Sequence, residues 1–336
     1  MKVAILAPIA WRTPPRKYGP WEQVASNLTE GLLKQGIDVT LFATADSLTN
    51  AQLRYSSPTG YAEDSTLDPK VEECLHISEL MENAADFDII HNHFDFLPLT
   101  YAKLINTPMV TTIHGFSSPK IIPVYKKYNK HSFYVAISNS DRSSELDYIA
   151  TVYNGIDTSQ LQFSAIGGDY LLYFGRIHPE KGAHLAIRAA KLAGKRLLLA
   201  GLIQDQLYFT EQVLPHIDND QIQYLGNVGP ADRNNLLRGA SALLHLIEFE
   251  EPFGLSVAEA MACGTPVIAM NKGAMPELIR DGITGFLVSD VPEAVQAIHR
   301  IHNLGRDRCY HWATSRFTKE KMTEDYITVY RRILDG

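Results

Sequence analysis

The chain has 336 residues, 45% hydrophobic and 21% charged, which is ordinary for a soluble globular protein of about two domains. Against 31 lysines and arginines stand 38 aspartates and glutamates, a formal charge of −7, which speaks against a nucleic-acid partner and requires any anionic ligand to be met by a local cationic site. The cysteines Cys74, Cys263 and Cys309 are far apart and lack metal spacing, and no stretch approaches the ~20 apolar residues of a membrane span, so a cytoplasmic chain is expected, with peripheral membrane contact left open.

Val3 to Pro8 is a continuous apolar run, as a buried parallel strand requires, and explains the N-terminus better than a signal sequence does. A loop with Pro14, Pro15, Tyr18 and Gly19 follows. Trp21, Val24, Ala25, Leu28, Leu32 and Leu33 then recur at helical spacing, with Pro20 suited to the first turn and Gly36 to the stop. Ile37 to Ala43 returns as a strand, so the chain opens as a Rossmann-like unit. The polar stretch 48–69 reads as an irregular excursion before a helix near Val71 to Asn83. Strands are expected at 88–93, 109–114, 133–138 and 150–153, about six in the first half with helices between them.

Between Thr158 and Asp169 the pattern lapses, and Gly167-Gly168 marks the best boundary. This divides the chain into domains 1–165 and 166–318. The alternation restarts at Tyr170 to Phe174 and runs through 196–200, 222–225, 242–247, 267–270 and 285–288. Lys319 to Leu334 carries a helical apolar pattern at Met322, Tyr326, Val329, Tyr330 and Ile333, and needs a docking face. The fold class is therefore α/β: two doubly wound parallel-sheet domains, expected to face each other across a cleft, with ligands beyond the carboxyl ends of the strands.

The chemistry-bearing residues lie beyond such ends. His114 closes one strand. Arg176 and Lys181 follow another in GRIHPEKG; a guanidinium and an ammonium together can neutralise a diphosphate. Glu251 and Glu259 flank the turn Pro252-Phe253-Gly254-Leu255. With 38 acidic residues, a fixed spacing of two carboxylates recurs by chance about four times, so spacing alone says little. The neighbourhood adds the weight: glycine and alanine allow close backbone approach, carboxylates accept hydrogen bonds from hydroxyls, and a helix start favours anions. A ligand with both hydroxyls and phosphates, such as a sugar nucleotide, meets these demands. His91 and His93 lie two apart on a strand and share a face, but no third metal ligand is placed; no metal site is assigned. No GxGxxG follows the first strand, which argues against a dehydrogenase.

The stretches FGRIHPEKG, EEPFGLSVAEAMACGTPVIA, GAMPELIRDGITGFLV and VYNGID, with the Gly19 loop, DIIHNH, TTIHG and AISNS, resemble the retaining glycosyltransferases of family 4, which have the GT-B fold. The resemblance covers nearly the whole chain. It implies a hexosyltransferase moving a sugar from a nucleoside diphosphate, a UDP-sugar or GDP-mannose, to a hydroxyl acceptor with retention, by front-face attack and without a metal or other cofactor. Arg176 and Lys181 would hold the diphosphate, Glu259 the ribose and Glu251 the donor sugar. His114 would contact that sugar, Gly19 would approach the phosphate or sugar, and the Gly254 and Leu255 amides would lie near the phosphates. Phe253 is included in the same wall, and Gly226-Asn227-Val228 could line the base pocket. In this fold the terminal helix 319–336 packs back on the first domain. Two positions depart from the family: Pro20 replaces a second glycine and removes an N–H, and Ala274 follows Gly273 where a glycine pair is usual. A sugar-nucleotide epimerase or hydrolase, or a non-catalytic sugar-nucleotide binder, is the alternative. The acceptor, whether saccharide, lipid or small molecule, is not legible; the Tyr18 region, 48–69 and the lysine-bearing stretch 115–130 are its candidate walls.

Overall fold

The structure, a computed structural model, describes residues 1–115 and 118–336. It forms two compact units, Met1–Gly155 with Lys319–Gly336, and Ile156–Thr318.

The first unit is built on seven strands: β1 (Lys2–Leu6), β2 (Asp38–Phe42), β3 (Gln52–Arg54), β4 (Ile89–Asn92), β5 (Met109–Ile113), β6 (Phe133–Ala136) and β7 (Tyr148–Thr151). Their order is β3-β2-β1-β4-β5-β6-β7, and every pair is parallel. β1, β4 and β5, buried at nearly every position, occupy the centre because both faces of a wound sheet are covered. β3 corrects the expectation of an irregular excursion at 48–69. It is a three-residue edge strand, too short and too polar to show a period.

Helix Pro20–Lys34 follows β1 and buries Val24, Ala25, Leu28 and Leu32. Its end is set by Gly36, in the left-handed region at φ 74°, as the amides of Gly36 and Ile37 donate back to Leu33 and Leu32. Terminal helix Lys319–Leu334 belongs to this unit and packs on helix Pro20–Lys34. Gly31 permits that approach, since a Cβ there would come within 2.1 Å of Thr323 Oγ1.

The second unit carries β8 (Tyr170–Phe174), β9 (Arg196–Ala200), β10 (Ile222–Tyr224), β11 (Ala242–His245), β12 (Val267–Met270) and β13 (Gly285–Val288). The order is β10-β9-β8-β11-β12-β13, again all parallel. The boundary falls between Gly155 and Ile156, not after residue 165. The segment 156–165, assigned from the sequence to the first domain, is bound to the second unit: Gln162 N–H donates to Asn234 Oδ1, Ser164 N–H to the Cys263 carbonyl, and Arg306 Nε to the Ser164 carbonyl. Hydrogen bonds to irregular backbone leave no periodic trace in a sequence, which is why the glycine pair drew the boundary too late.

Both sheets reverse their strand order, at β1/β4 and at β8/β11. In open α/β sheets, ligands bind beyond the carboxyl ends at such points. Backbone contact is close there. Gly182, after β8, has φ 69°, and a Cβ would lie 1.8 Å from the Leu246 carbonyl oxygen beyond β11. Gly182→Ala should therefore cost about 3 kcal/mol or more, from left-handed strain plus overpacking, read as a lower urea midpoint.

Candidate active site

At the β8/β11 reversal of the second unit, Lys181 Nζ donates to Glu251 Oε2 at 2.5 Å, with both side chains largely buried. His245, the last residue of β11, brings Nε2 to 3.4 Å from the same oxygen. The Lys181 ammonium also lies 4.6 Å from the Phe249 ring centroid. Burial alone would raise the pKa of the Glu251 carboxyl. The Lys181 charge, its hydrogen bond and the nearby His245 outweigh it and hold the pKa at about 2. Glu251 is thus an anion at neutral pH and a weak base.

Helix Leu255–Ala262 begins just after this carboxylate. Its cap, Gly254, has φ 97°, and a Cβ would meet the Met275 methyl at 2.8 Å. Val257 and Ala258 donate to the Gly254 carbonyl, which leaves the Leu255 and Ser256 amides for other acceptors. Phe253 is buried, its ring edge-on to Phe317, so it packs in the unit's interior and only its backbone is available to a ligand. Gly273 closes on the same turn: a Cβ would lie 2.4 Å from Glu251 N, and the Ala274 N–H donates to the Glu251 carbonyl at 2.8 Å.

Glu259 is brought together with Arg233, whose Nη1 lies 3.2 Å from its Oε1. Burial raises the Glu259 pKa and the Arg233 charge only partly opposes it. Arg176, after β8, is half-buried and donates to Gln204 Oε1, a different partner from those of Lys181. Gly226-Asn227-Val228 lies beyond β10, half-buried, with Gly226 at φ 77° accepting from the Gly201 amide.

In the first unit, Gly19 caps helix Pro20–Lys34 at φ 150°. Pro20 is the first helical residue, so the missing N–H falls where a helix leaves donors unspent. Glu22, two residues on, is buried and accepts from the Trp11 amide. Desolvation, partly offset by backbone amides including that of Trp11, pushes its pKa up to about 7. His114 follows β5. The Trp21 ring stacks on it at 5.6 Å, and His93 Nδ1 lies 2.9 Å from its Nε2. Burial pulls the His114 pKa down to about 3, so the ring is neutral at physiological pH. Of the stretch 115–130, Phe116 and Ser117 lie outside the described residues. Lys126 in that stretch is exposed and bridged to Glu145.

Residues 162–330, just over half of the chain, match the family described as Glycosyl transferases group 1, and residues 21–160 match Glycosyltransferase Family 4. The chain belongs to the glycosyl transferases group 1 family. It is 27% identical over 292 residues to an uncharacterised 41.2 kDa protein in the cps region of Klebsiella pneumoniae, covering 73% of this chain and 79% of that one. A glycogen synthase of Mycobacterium tuberculosis is 28% identical, over 71% of this chain and 65% of that one. A D-inositol 3-phosphate glycosyltransferase of Mycobacterium bovis is 33% identical, over 48% and 37%. The chain thus spans about two thirds of the glycogen synthase and about a third of the inositol-phosphate enzyme. Solved structures agree on the fold. A sucrose-phosphate synthase from Thermosynechococcus elongatus matches at TM-score 0.80 and 18% identity, over 100% of this chain and 99% of that one. An Anabaena HepE complex with UDP and glucose matches at 0.76 and 19%, over 99% and 100%. The GT-B fold class is therefore established for this glycosyltransferase, as two Rossmann-like parallel-sheet units.

Five residues were not read as site residues in the sequence: His245, Arg233, Gln204, Trp21 and His93. Only His93 carried a signal, its spacing of two from His91, and that was weighed only as metal chemistry. No helix among the described residues is long and apolar enough to cross a membrane.

Proposed function

We propose that the chain is a retaining hexosyltransferase that moves a sugar from a nucleoside diphosphate to an acceptor hydroxyl. One observation carries this: at the β8/β11 reversal, where such sheets take ligands, a lysine and a glutamate are held together, with a histidine behind the carboxylate. The Anabaena HepE complexes with UDP and with UDP-glucose favour a UDP-sugar.

In this reading the diphosphate draws Lys181 and Arg176 to its oxygens, and both stabilise the leaving group as its charge develops. Positive side chains do the work for which other transferases use a metal, and no metal or cofactor enters the proposal. Glu251 faces the donor sugar and steadies positive charge at the reacting carbon, while Glu259 accepts from the ribose hydroxyls. His114 of the first unit, which the resemblance makes a contact of the donor sugar, would act as a neutral dipole. A carboxylate with a pKa of about 2 and an imidazole with one of about 3 are both poor bases at pH 7. That supports front-face attack, in which the leaving phosphate takes the acceptor's proton. The cytoplasm is the proposed compartment.

The test is thermal unfolding with UDP, GDP and ADP. The correct nucleotide, at about 100 times its dissociation constant, should raise the melting temperature by a few degrees. No shift with any of the three would sink the donor assignment. Donor incubated without acceptor should stay intact by mass spectrometry; an epimer or free sugar would favour another reaction class.

A further inference from the structure

The reading above uses His114 but not the groups behind it. His91, on β4, and His93, just beyond it, are fully buried, with ring centroids 4.0 Å apart. His91 is fixed at both nitrogens: Nδ1 lies 2.6 Å from the Tyr330 hydroxyl and Nε2 2.7 Å from Thr112 Oγ1. Thr112 Oγ1 in turn lies 2.7 Å from the Tyr326 hydroxyl. Both tyrosines come from the terminal helix. Against this anchored ring stands His93, whose Nδ1 meets His114 Nε2 at 2.9 Å. Trp21 covers the His114 ring, nearly parallel to it.

Among the described residues, two atoms of this stack have no partner, His93 Nε2 and His114 Nδ1, both buried. A neutral imidazole carries one N–H and one lone pair, and which nitrogen bears the proton follows from the bond the other makes. Two neutral imidazoles that share one hydrogen bond divide its roles between them. If His114 Nε2–H donates to His93, then His114 Nδ1 is an acceptor. If His93 Nδ1–H donates, His114 Nδ1 carries the proton and is a donor. Either way the polarity of His114 Nδ1 follows from how His93 shares that bond.

We propose that His93 is a positioning residue for His114, fixing its ring plane and tautomer, with Tyr326 and Tyr330 of the terminal helix holding the stack behind it. The inference rests on the proposed role of His114 toward the donor sugar. It gives the docking of helix Lys319–Leu334 a second consequence besides closing the first unit. The helix clamps His91, His91 supports His93, and His93 orients His114.

The full-length protein tests this with His93→Leu, His93→Gln, Tyr330→Phe and His114→Ala. His93→Leu should lower kcat by about 10- to 100-fold while donor KM and nucleotide affinity stay within a few-fold, the pattern of lost orientation. His93→Gln, whose amide can donate or accept, should recover part of the loss. Tyr330→Phe should give a smaller loss of the same kind. Adding His93→Leu to His114→Ala should cost nothing further. In wild type, imidazole 15N spectra should show a single His114 tautomer, and in His93→Leu a mixture. Wild-type kcat for His93→Leu beside a dead His114→Ala overturns the proposal, as does a mixed His114 tautomer in wild type should His93→Leu fail to fold. Full turnover of His114→Ala removes the reading beneath it, and the proposal with it.

Discussion

Lys181→Ala should lower turnover by about two to three orders of magnitude, the loss expected when one preorganised electrostatic partner of a transition state is removed. The ammonium is already desolvated beside Glu251, so in the wild type it has only to exchange that carboxylate for a diphosphate. The same substitution has a second effect, in the absence of any ligand. Glu251 is almost fully buried, and Lys181 is its nearest positive charge. Its folded pKa of about 2 lies below the ordinary 4.5, so the pair's contribution to stability is present above pH 4.5 and is lost as pH falls toward 2. A depression of that size corresponds to roughly 3 kcal/mol. Lys181→Ala should flatten this part of the pH–stability curve and lower the urea midpoint at pH 7. Lys181→Met, closer in volume, separates charge from packing. Near-normal turnover of either variant with its true donor would remove Lys181 from the mechanism, whatever its stability shows.

How much of this was legible in the sequence depends on what each feature is made of. Strands and helices were legible because burial imposes a period. β1 is a nearly unbroken apolar run from Val3, and helix Lys319–Leu334 shows its face through Met322, Tyr326, Val329 and Tyr330. Strand β3 was not, because an edge strand of three residues needs no apolar alternation. Of the candidate site, the residues next to glycines at strand ends were legible, since close approach and positive φ demand glycine: Gly182 near Lys181, and Gly254 near Glu251. Their partners were not. Arg233 meets Glu259 from a separate helix, and Gln204 meets Arg176 from beyond β9. Such pairings follow from sheet order, which one chain read alone does not reveal. His245 was hidden for another reason: it closes an apolar strand, where a buried histidine looks like part of the core.

In the proposed mechanism the two glutamates divide the labour most sharply, so Glu251→Gln and Glu259→Gln should fail differently. In Glu251→Gln the shape is kept and the charge is lost, so the developing positive charge of the donor sugar loses its nearest anion. Turnover should fall by about 10²-fold or more. Nucleotide affinity should hold or even tighten. Lys181, released from a 2.5 Å ion pair, no longer has to exchange a carboxylate for a diphosphate. In Glu259→Gln the loss is of hydrogen bonds from hydroxyls to a charged acceptor, worth about 1.5–3 kcal/mol, or roughly 10- to 100-fold in nucleotide affinity. Its kcat at saturating donor should stay within a few-fold of wild type, because Arg233 and Glu259 are remote in role from the reacting carbon. Calorimetric titration with the nucleoside diphosphate, beside initial rates over donor concentration, separates the two. Equal losses of affinity and turnover in Glu251→Gln would move that residue to the ribose or to folding. Unchanged affinity in Glu259→Gln would leave the Arg233–Glu259 pair as a structural brace, its carboxylate held by the guanidinium and never offered to a ligand.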